Sequence, residues 1–485
     1  MRQGTMTRRA ILQIGTEKTG TTTLQHCLST NRAALKANGF LYPDFCGRIN
    51  HTGLAAYAMA PSRRDGIRAV FGCRSEADVE PMRARLRAAA AEQLSSDETV
   101  IFCSEHCHSR LVRPAEVETL HALLAPFFGD IRVAVYIRRQ DRLALSLYST
   151  KLKSGGNDRS ILPPSGPDDP YFNYDRSIGL WEAVFGRDNV RVRLFDRREL
   201  IGGDVVADFI TTWGLTGSVP YKTVRDQNES IRPLAQEFLR RVNPRLEPIE
   251  GLPIEDVRGP LAASLSRLLP GRGARPPRAE AEAFLDRYRD SNEALRLRHF
   301  PDRPTLFDAD FSEYPEVADP REFSIDDLAT VAAMLHTAAT REARRLEAEI
   351  AIRDARTHWF RDESAAAERA IARALTWTPG YPEAYRTLAE HLLRQGRLDE
   401  ALAAAERAAE RRPDAHEYWH FLGILRRRTG DSAGAAEAQR RALELAPDQV
   451  GARTELAKML ASTPAPTAPG PTSIDESICQ RPASP

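Results

Sequence analysis

The chain has 485 residues, 42% hydrophobic and 28% charged, the balance of a globular protein too long for one ordinary domain, so two or three domains are expected. Its 68 Lys and Arg against 67 Asp and Glu leave a net charge of +1, which excludes the broad basic field of a nucleic-acid binder or a membrane-surface protein. The six cysteines are few and scattered, as in a reducing compartment, and MRQGTMTRR leads into an apolar run too short for a signal peptide or a membrane span; a cytoplasmic protein is expected.

Residues 10–14, AILQI, predict a short buried strand, and Leu24, Leu28 and Leu35 recur at helical spacing, predicting a helix that ends near Gly39. Between them lies IGTEKTGTTTL, a glycine-rich turn from strand to helix, the setting of a phosphate-binding loop; the other reading is a threonine-rich tight turn. The triphosphatase template G-x-x-x-x-G-K-S/T fits Gly15, Gly20 and Thr22, but its lysine slot holds Thr21, and the only lysine of the loop is Lys18. A lysine in that slot reaches the outer phosphates of a triphosphate. Its absence points to a shorter anionic donor.

The next apolar run, TVIFC (99–103), predicts a strand that opens into SEHCHSR, where an α/β sheet builds its site. Glu105 and His108 are candidates for a general base, with Glu105 preferred. The alternative is that Glu105 caps the following helix and the histidines are solvated. Cys103, His106, Cys107 and His108 are zinc-ligand types, but four ligands within six residues fit a tetrahedron poorly, so free thiols and no metal are expected. IRVAVYI (131–137) then predicts a strand running into RRQDRLALSLYSTKL, where Arg138 and Ser146 are eight apart. Asp141 is placed to cap a helix on which Leu145, Tyr148 and Leu152 share a face. An arginine fork suits a phosphate dianion, while Arg139 and Arg142 read as a solvated helix start.

With Lys18, Thr19, Gly20, Thr21 and Thr22 the first loop resembles the K-S/T-G-T-T motif of sulfotransferases that use 3'-phosphoadenosine 5'-phosphosulfate, and Arg138 with Ser146 resembles their second motif. The likeness runs over residues 8–315, including LYP at 41–43, FNYDRSIGLWEAVFG before a strand near 190, and SNEALRLRHFPDRPTLF near 291. It departs from the cytosolic enzymes of small phenols in having Thr23 where they carry tryptophan, as in more carbohydrate-directed bacterial members. The resemblance implies a P-loop-like α/β fold with a parallel sheet flanked by helices. It implies that residues 18–23 hold the 5'-phosphosulfate, with Lys18 on the leaving oxygen, that Arg138 and Ser146 hold the 3'-phosphate, and that a hydroxyl acceptor such as a glycan is sulfated without a metal. The alternatives are a nucleotide kinase or triphosphatase, and a scaffold carrying a degenerate enzyme.

Asp226 to Ser230 form a polar knot before a helix expected at 233–242, in which Asn228 reads as a turn or cap or, by the resemblance, as a donor contact. Residues 244–280, proline-rich and charged, read as a mobile excursion. After residue 350 a period appears: Pro379, Pro413 and Pro447 are 34 apart, as are Leu388, Leu422 and Leu456, Gly396 and Gly430, and Ala408 and Ala442. Trp419, Leu422 and Gly423 complete a W-x-x-L-G opening that resembles the tetratricopeptide repeat (TPR), which implies an all-α repeat region and a protein partner; Leu392 and Arg426 replace its later tyrosine. The expected order is a sulfotransferase-like domain at 1–320, a helical connector at 321–360, repeats at 361–461 with flanking helices at 363–376 and 450–461, and a disordered proline-rich tail at 462–485.

Overall fold

The computed structural model describes residues 8–95, 98–215, 230–248, 250, 253–317 and 324–461. It divides into two compact units, residues 1–333 and 334–485. The first is built on five strands: β1 (Arg9–Gln13), β2 (Phe40–Leu41), β3 (Thr99–Cys103), β4 (Asp130–Ile137) and β5 (Val190–Leu194). They pair in parallel in the order β2-β3-β1-β4-β5, with Ile11 opposite Ile101 on one side and Arg132 on the other.

Strand residues alternate between two cores, because successive side chains leave opposite faces of a sheet. Ala10, Leu12, Val100, Phe102, Val133, Val135 and Ile137 pack on one face. Ile11, Ile101, Cys103, Ala134 and Tyr136 pack on the other, with Leu24, Leu28 and Phe209. Both faces are covered, so β1 is central and buried. The chain passes from β1 to one side of the sheet through β2 and β3, then crosses to β4 on the other. That reversal opens a crevice beyond the carboxyl end of β1, where open α/β sheets place their ligands.

Several expectations are corrected. The helix expected to run to Gly39 is two, Thr21–Thr30 and Arg32–Ala37, because the Asn31 amide turns back to donate to the Cys27 carbonyl at 2.8 Å and closes the first. Asp141 does not cap: the helix Gln140–Lys153 begins after Arg139 and has no side-chain cap, and Asp141 is fully buried against the Arg139 guanidinium. Arg139 is therefore no part of a solvated start. Residues 244–280 contain the 15-residue helix Ile254–Leu268 and the start of Arg278–Asp286, rather than an unstructured excursion. The expected helix at 233–242 is present as Pro233–Val242. Asp226 to Glu229 and the tail at 462–485 lie outside the described residues.

In the second unit the repeats form helix pairs Pro382–Arg394 with Leu398–Arg411 and His416–Arg428 with Ser432–Leu445, flanked by Ser364–Trp377 and Val450–Ala461. The stretch expected as a connector is the helix Ile325–Phe360, and Ala348, Ala351 and Ile352 on it pack with Ala374 and Ala384 as a further repeat layer. One latch recurs at the 34-residue period. Tyr385 Oη donates to the Pro379 carbonyl at 2.9 Å, Trp419 Nε1 to Pro413 at 3.0 Å and the Arg453 guanidinium to Pro447 at 2.5 Å. Gly423 is required by packing, since a Cβ there would stand 2.4 Å from the Nε2 of buried Gln439. No helix among the described residues is long and apolar enough to cross a membrane.

Asp208 ties the sheet to the helix Val205–Thr212: fully buried, it accepts from Tyr136 Oη at 2.7 Å, the Arg193 guanidinium and the Ile201 backbone N–H at 3.1 Å. Asp208→Ala leaves the buried Tyr136 hydroxyl and the partly exposed Arg193 guanidinium and Ile201 N–H without this acceptor, and is expected to lower stability by about 1–3 kcal/mol in chemical denaturation.

Candidate functional site

The crevice beyond β1 is a cleft of about 1210 Å³. The glycine-rich loop 14–20 forms its floor. Its start extends the sheet, as Ile14 N–H donates to Ala134 and Thr16 N–H to Tyr136, and Tyr136 N–H donates to Gly15. Gly15 has φ 112°, and a Cβ on it would meet the Glu105 Cα at 3.1 Å, so only glycine lets the β3 end close on the loop. Gly20 has φ 74° and immediately precedes Thr21–Thr30, whose first N–H groups have no intrahelical acceptor. Lys18, Gly20, Thr21, Thr22 and Thr23 all line the cleft. Thr19 does not: it is buried, and its hydroxyl donates to the Thr16 carbonyl at 2.6 Å, holding the loop's shape.

From β4, Arg138 and Ser146 face the same cleft as Lys18. The Arg138 guanidinium is half-buried; its Nη1 donates to the Lys18 carbonyl at 3.2 Å, its Cζ lies 5.8 Å from the Phe195 ring centroid, and Tyr174 Oη fixes its carbonyl at 2.6 Å. No carboxylate among the described residues pairs with it. Its neighbours are supplied: Arg139 bonds Asp141 and Asp308, each at 2.8 Å, and Arg142 bonds Asp196 at 2.9 Å and Glu313 at 3.1 Å. Burial first, and the charge of Arg142 second, pull the Arg138 pKa below the usual guanidinium value. A positive charge held in this way offers a site to an anion.

From β3, Glu105 lines the cleft. Its Oε2 accepts from Gln25 Nε2 at 2.5 Å and Asn50 Nδ2 at 3.0 Å, and it makes no side-chain cap to the helix it precedes. Asn50 is delivered by His51, whose Nδ1 accepts from the Cys103 N–H at 3.0 Å while Nε2–H donates to the Pro43 carbonyl at 2.8 Å. His108 is not brought to the cleft. It is 4% exposed behind the wall, edge-on to Tyr171, and its ring nitrogens have no partner among the described residues. His106 lines the cleft instead, and burial lowers its pKa although Glu105 opposes the shift. Glu17 also lines the cleft, bonded by Tyr171 Oη at 2.7 Å and Arg110 at 3.1 Å; burial raises its pKa, but these partners outweigh burial and hold it below the ordinary carboxylate value. Cys103 and Cys107 are buried free thiols.

Sequence reasoning missed Gln25, Asn50 and Phe195, which reach the site from distant elements and carry no motif, and gave no role to Tyr174 within FNYDRSIGLWEAVFG. Glu17 and Arg110 lie inside the recognised segments IGTEKTGTTTL and SEHCHSR, but neither was given a role there.

Comparison with known proteins bears on the second unit. The tetratricopeptide repeat profile matches residues 352–410 and 386–450, and with the 34-residue period this identifies the C-terminal region as TPR repeats. Solved structures similar to it include the Sgt2 TPR domain of Aspergillus fumigatus (21% identity, 27% of this chain and 91% of that one, TM-score 0.23) and MamA (15%, 29% and 85%, TM-score 0.22). A third is the TPR2B domain of yeast Sti1 in complex with an Hsp70 peptide (17%, 24% and 99%, TM-score 0.23). Among curated sequences, an uncharacterized protein of Archaeoglobus fulgidus is 26% identical over 185 residues, 36% of this chain. The chain spans about half of that relative, 48% of its length.

Burial pushes His108 down from 6.5 to about 4 and His51 from 6.5 to about 3. Both are neutral when folded and take up protons on unfolding, so the stability they contribute is complete above pH 6.5 and is lost as pH falls towards 4. Denaturation midpoints are expected to drop across that window, by up to about 1.4 kcal/mol per pH unit for each histidine. His108→Gln is expected to remove about half of the combined slope, read by urea titration from pH 7 to pH 4.

Proposed function

We propose that the first unit is a sulfotransferase that moves the sulfuryl group of 3'-phosphoadenosine 5'-phosphosulfate onto a hydroxyl of a carbohydrate. The carrying observation is the half-buried Arg138 guanidinium, which has no carboxylate partner among the described residues and lines one cleft with Ser146 and the Lys18 loop. A donor with a 3'-phosphate and a 5'-phosphosulfate needs two anion sites on neighbouring strand ends. β1 and β4 are neighbours in the sheet, which supports this reading.

In this reading the fork of Arg138 and the hydroxyl of Ser146 take the 3'-phosphate. The N–H groups of residues 21–23 and the hydroxyls of Thr21 and Thr22 take the 5' group. Glu105, positioned through one oxygen by Gln25 and Asn50, accepts the acceptor's proton with His106 beside it. The acceptor oxygen attacks sulfur in line, the bond from sulfur to the 5'-phosphate oxygen breaks, and Lys18 neutralises the leaving phosphate. His108, behind the wall, has no part in the transfer. Thr21 in the lysine slot disfavours the kinase reading, since nothing else in the loop is placed as that lysine is.

The TPR repeats of the second unit suggest protein partners. We propose that they dock a segment of a protein that carries or delivers the acceptor.

The test is calorimetric binding of 3'-phosphoadenosine 5'-phosphate, adenosine 5'-phosphosulfate and ATP. Arg138→Ala is expected to weaken the first by about 10–100-fold, the range of a lost charged hydrogen bond, and to leave the second nearly unchanged. Tighter binding of ATP, or equal losses for both ligands, overturns the reading. Lys18→Ala is expected to bind donor while losing turnover by about 100-fold or more in a sulfate-transfer assay.

A further inference from the structure

Lys18 has φ 65°, and among the described residues Asp362 is the only other non-glycine residue in the left-handed region. The short polar side chain of an aspartate tolerates that region, and glycine occupies it freely, as Gly20 does at φ 74°. A lysine has neither advantage. Such a backbone persists only where its surroundings over-determine it, and Lys18 is held on both sides. On its C-terminal side the Arg138 guanidinium donates to its carbonyl at 3.2 Å, and Thr19 Oγ1 donates to the Thr16 carbonyl at 2.6 Å. On its N-terminal side Glu17 is anchored by its carboxylate: Oε2 accepts from Tyr171 Oη at 2.7 Å and Oε1 from Arg110 Nη1 at 3.1 Å. Both donors are themselves fixed. Arg110, at the end of the helix His106–Arg110, also bonds Ser109 Oγ at 2.6 Å and lies 3.4 Å from the Asp65 carboxylate. The Tyr171 N–H donates to Asp169 Oδ1 at 2.9 Å, and the Tyr171 ring lies against His108 and Phe172, with centroids 5.6 and 5.4 Å away.

We infer that Tyr171 and Glu17 are positioning residues for Lys18: their hydrogen bond holds the left-handed turn that sets where the Lys18 side chain leaves the loop. The inference rests on the sulfuryl-transfer reading for what that side chain does there. Glu17 has both carboxylate oxygens engaged, which suits an anchor of the loop and not a contact to the acceptor. A change of the turn at Lys18 re-aims its Cα–Cβ bond, whereas the groups assigned to the rest of the nucleotide stand on other elements: Thr21 to Thr23 on the helix Thr21–Thr30, Arg138 just past β4 and Ser146 on the helix Gln140–Lys153. The pair therefore acts on one oxygen of the nucleotide. In the donor that oxygen bridges phosphorus and sulfur; after transfer it is a terminal oxygen of the 5'-phosphate and carries the charge that the broken bond leaves on it. An ammonium aimed at it binds product more tightly than donor, and the same preference, felt as the bond breaks, lowers the barrier. The 3'-phosphate, ribose and base are common to both nucleotides, so their contacts cancel from the ratio of the two affinities.

Calorimetry with 3'-phosphoadenosine 5'-phosphate and with 3'-phosphoadenosine 5'-phosphosulfate, on the full native chain, Tyr171→Phe, Lys18→Ala and the double variant, tests this without an acceptor. The native chain is expected to bind the product more tightly than the donor. Tyr171→Phe, which keeps the ring and removes only the hydroxyl, is expected to weaken the product by about 10-fold, the scale of one hydrogen bond to a charged group, and to leave the donor nearly unchanged. Glu17→Gln, neutral and of the same shape, is expected to shift the ratio in the same direction. In the Lys18→Ala background Tyr171→Phe is expected to change the ratio no further, since both act through one side chain. Equal losses for the two nucleotides, which mark a merely structural residue, would overturn the inference. So would a native chain without preference, a ratio that Tyr171→Phe leaves unchanged, or a further drop in the double variant. A native chain that binds neither nucleotide removes the sulfotransferase reading itself, and the inference with it.

Discussion

The site depends on one charge that no carboxylate among the described residues compensates. Three arginines stand in or beside the first turn of Gln140–Lys153, and two of them are neutralised: Arg139 by Asp141 and Asp308, Arg142 by Asp196 and Glu313. Arg138 bonds the Lys18 carbonyl and, among the described residues, no carboxylate. A guanidinium partly removed from water without an anion costs free energy that the fold must recover elsewhere. It is tolerated because the surroundings over-determine its position: Tyr174 holds its carbonyl, Phe195 lies against its fork and the glycine-rich loop accepts a hydrogen bond from it. Residues 308–314 have a related role, since Asp308, Glu313 and Tyr314 engage Arg139, Arg142 and Asp141 rather than Arg138.

The sheet makes this arrangement possible. With β1 between β3 and β4, three strand ends deliver the loop, Glu105 and Arg138 into one cleft without long side chains having to reach. Gly15 brings the β3 end against the loop, and the pair formed by His51 and Cys103 brings Asn50 to Glu105. The positively charged group and the carboxylate are thus fixed from opposite sides of β1 by backbone contacts that a point substitution in the cleft leaves intact.

Legibility from sequence followed the range of the interaction. Lys18, Thr22, Arg138, Ser146 and Glu105 were readable because each sits at a fixed offset from a strand end, and the repeats because their period survives in single residues. Gln25, Asn50, Phe195 and Tyr174 were not, since their partners are tens of residues away and only the folded sheet brings them in. Asp141 was misread as a cap because a carboxylate early in a helix has two possible partners, backbone N–H or a guanidinium, and the buried Arg139 took it. The break at Asn31 was missed because the apolar spacing of Leu28 and Leu35 is indifferent to whether one helix or two carries them. His108 was a candidate by composition, but Tyr171 and the cleft wall bury it.

A crystal structure of the chain with 3'-phosphoadenosine 5'-phosphate tests the central claim most directly. The account predicts the 3'-phosphate within hydrogen-bond distance of the Arg138 guanidinium and Ser146 Oγ, with the 5'-phosphate over residues 18–23. A nucleotide bound with its 3'-phosphate in solvent, or outside this cleft altogether, would contradict it.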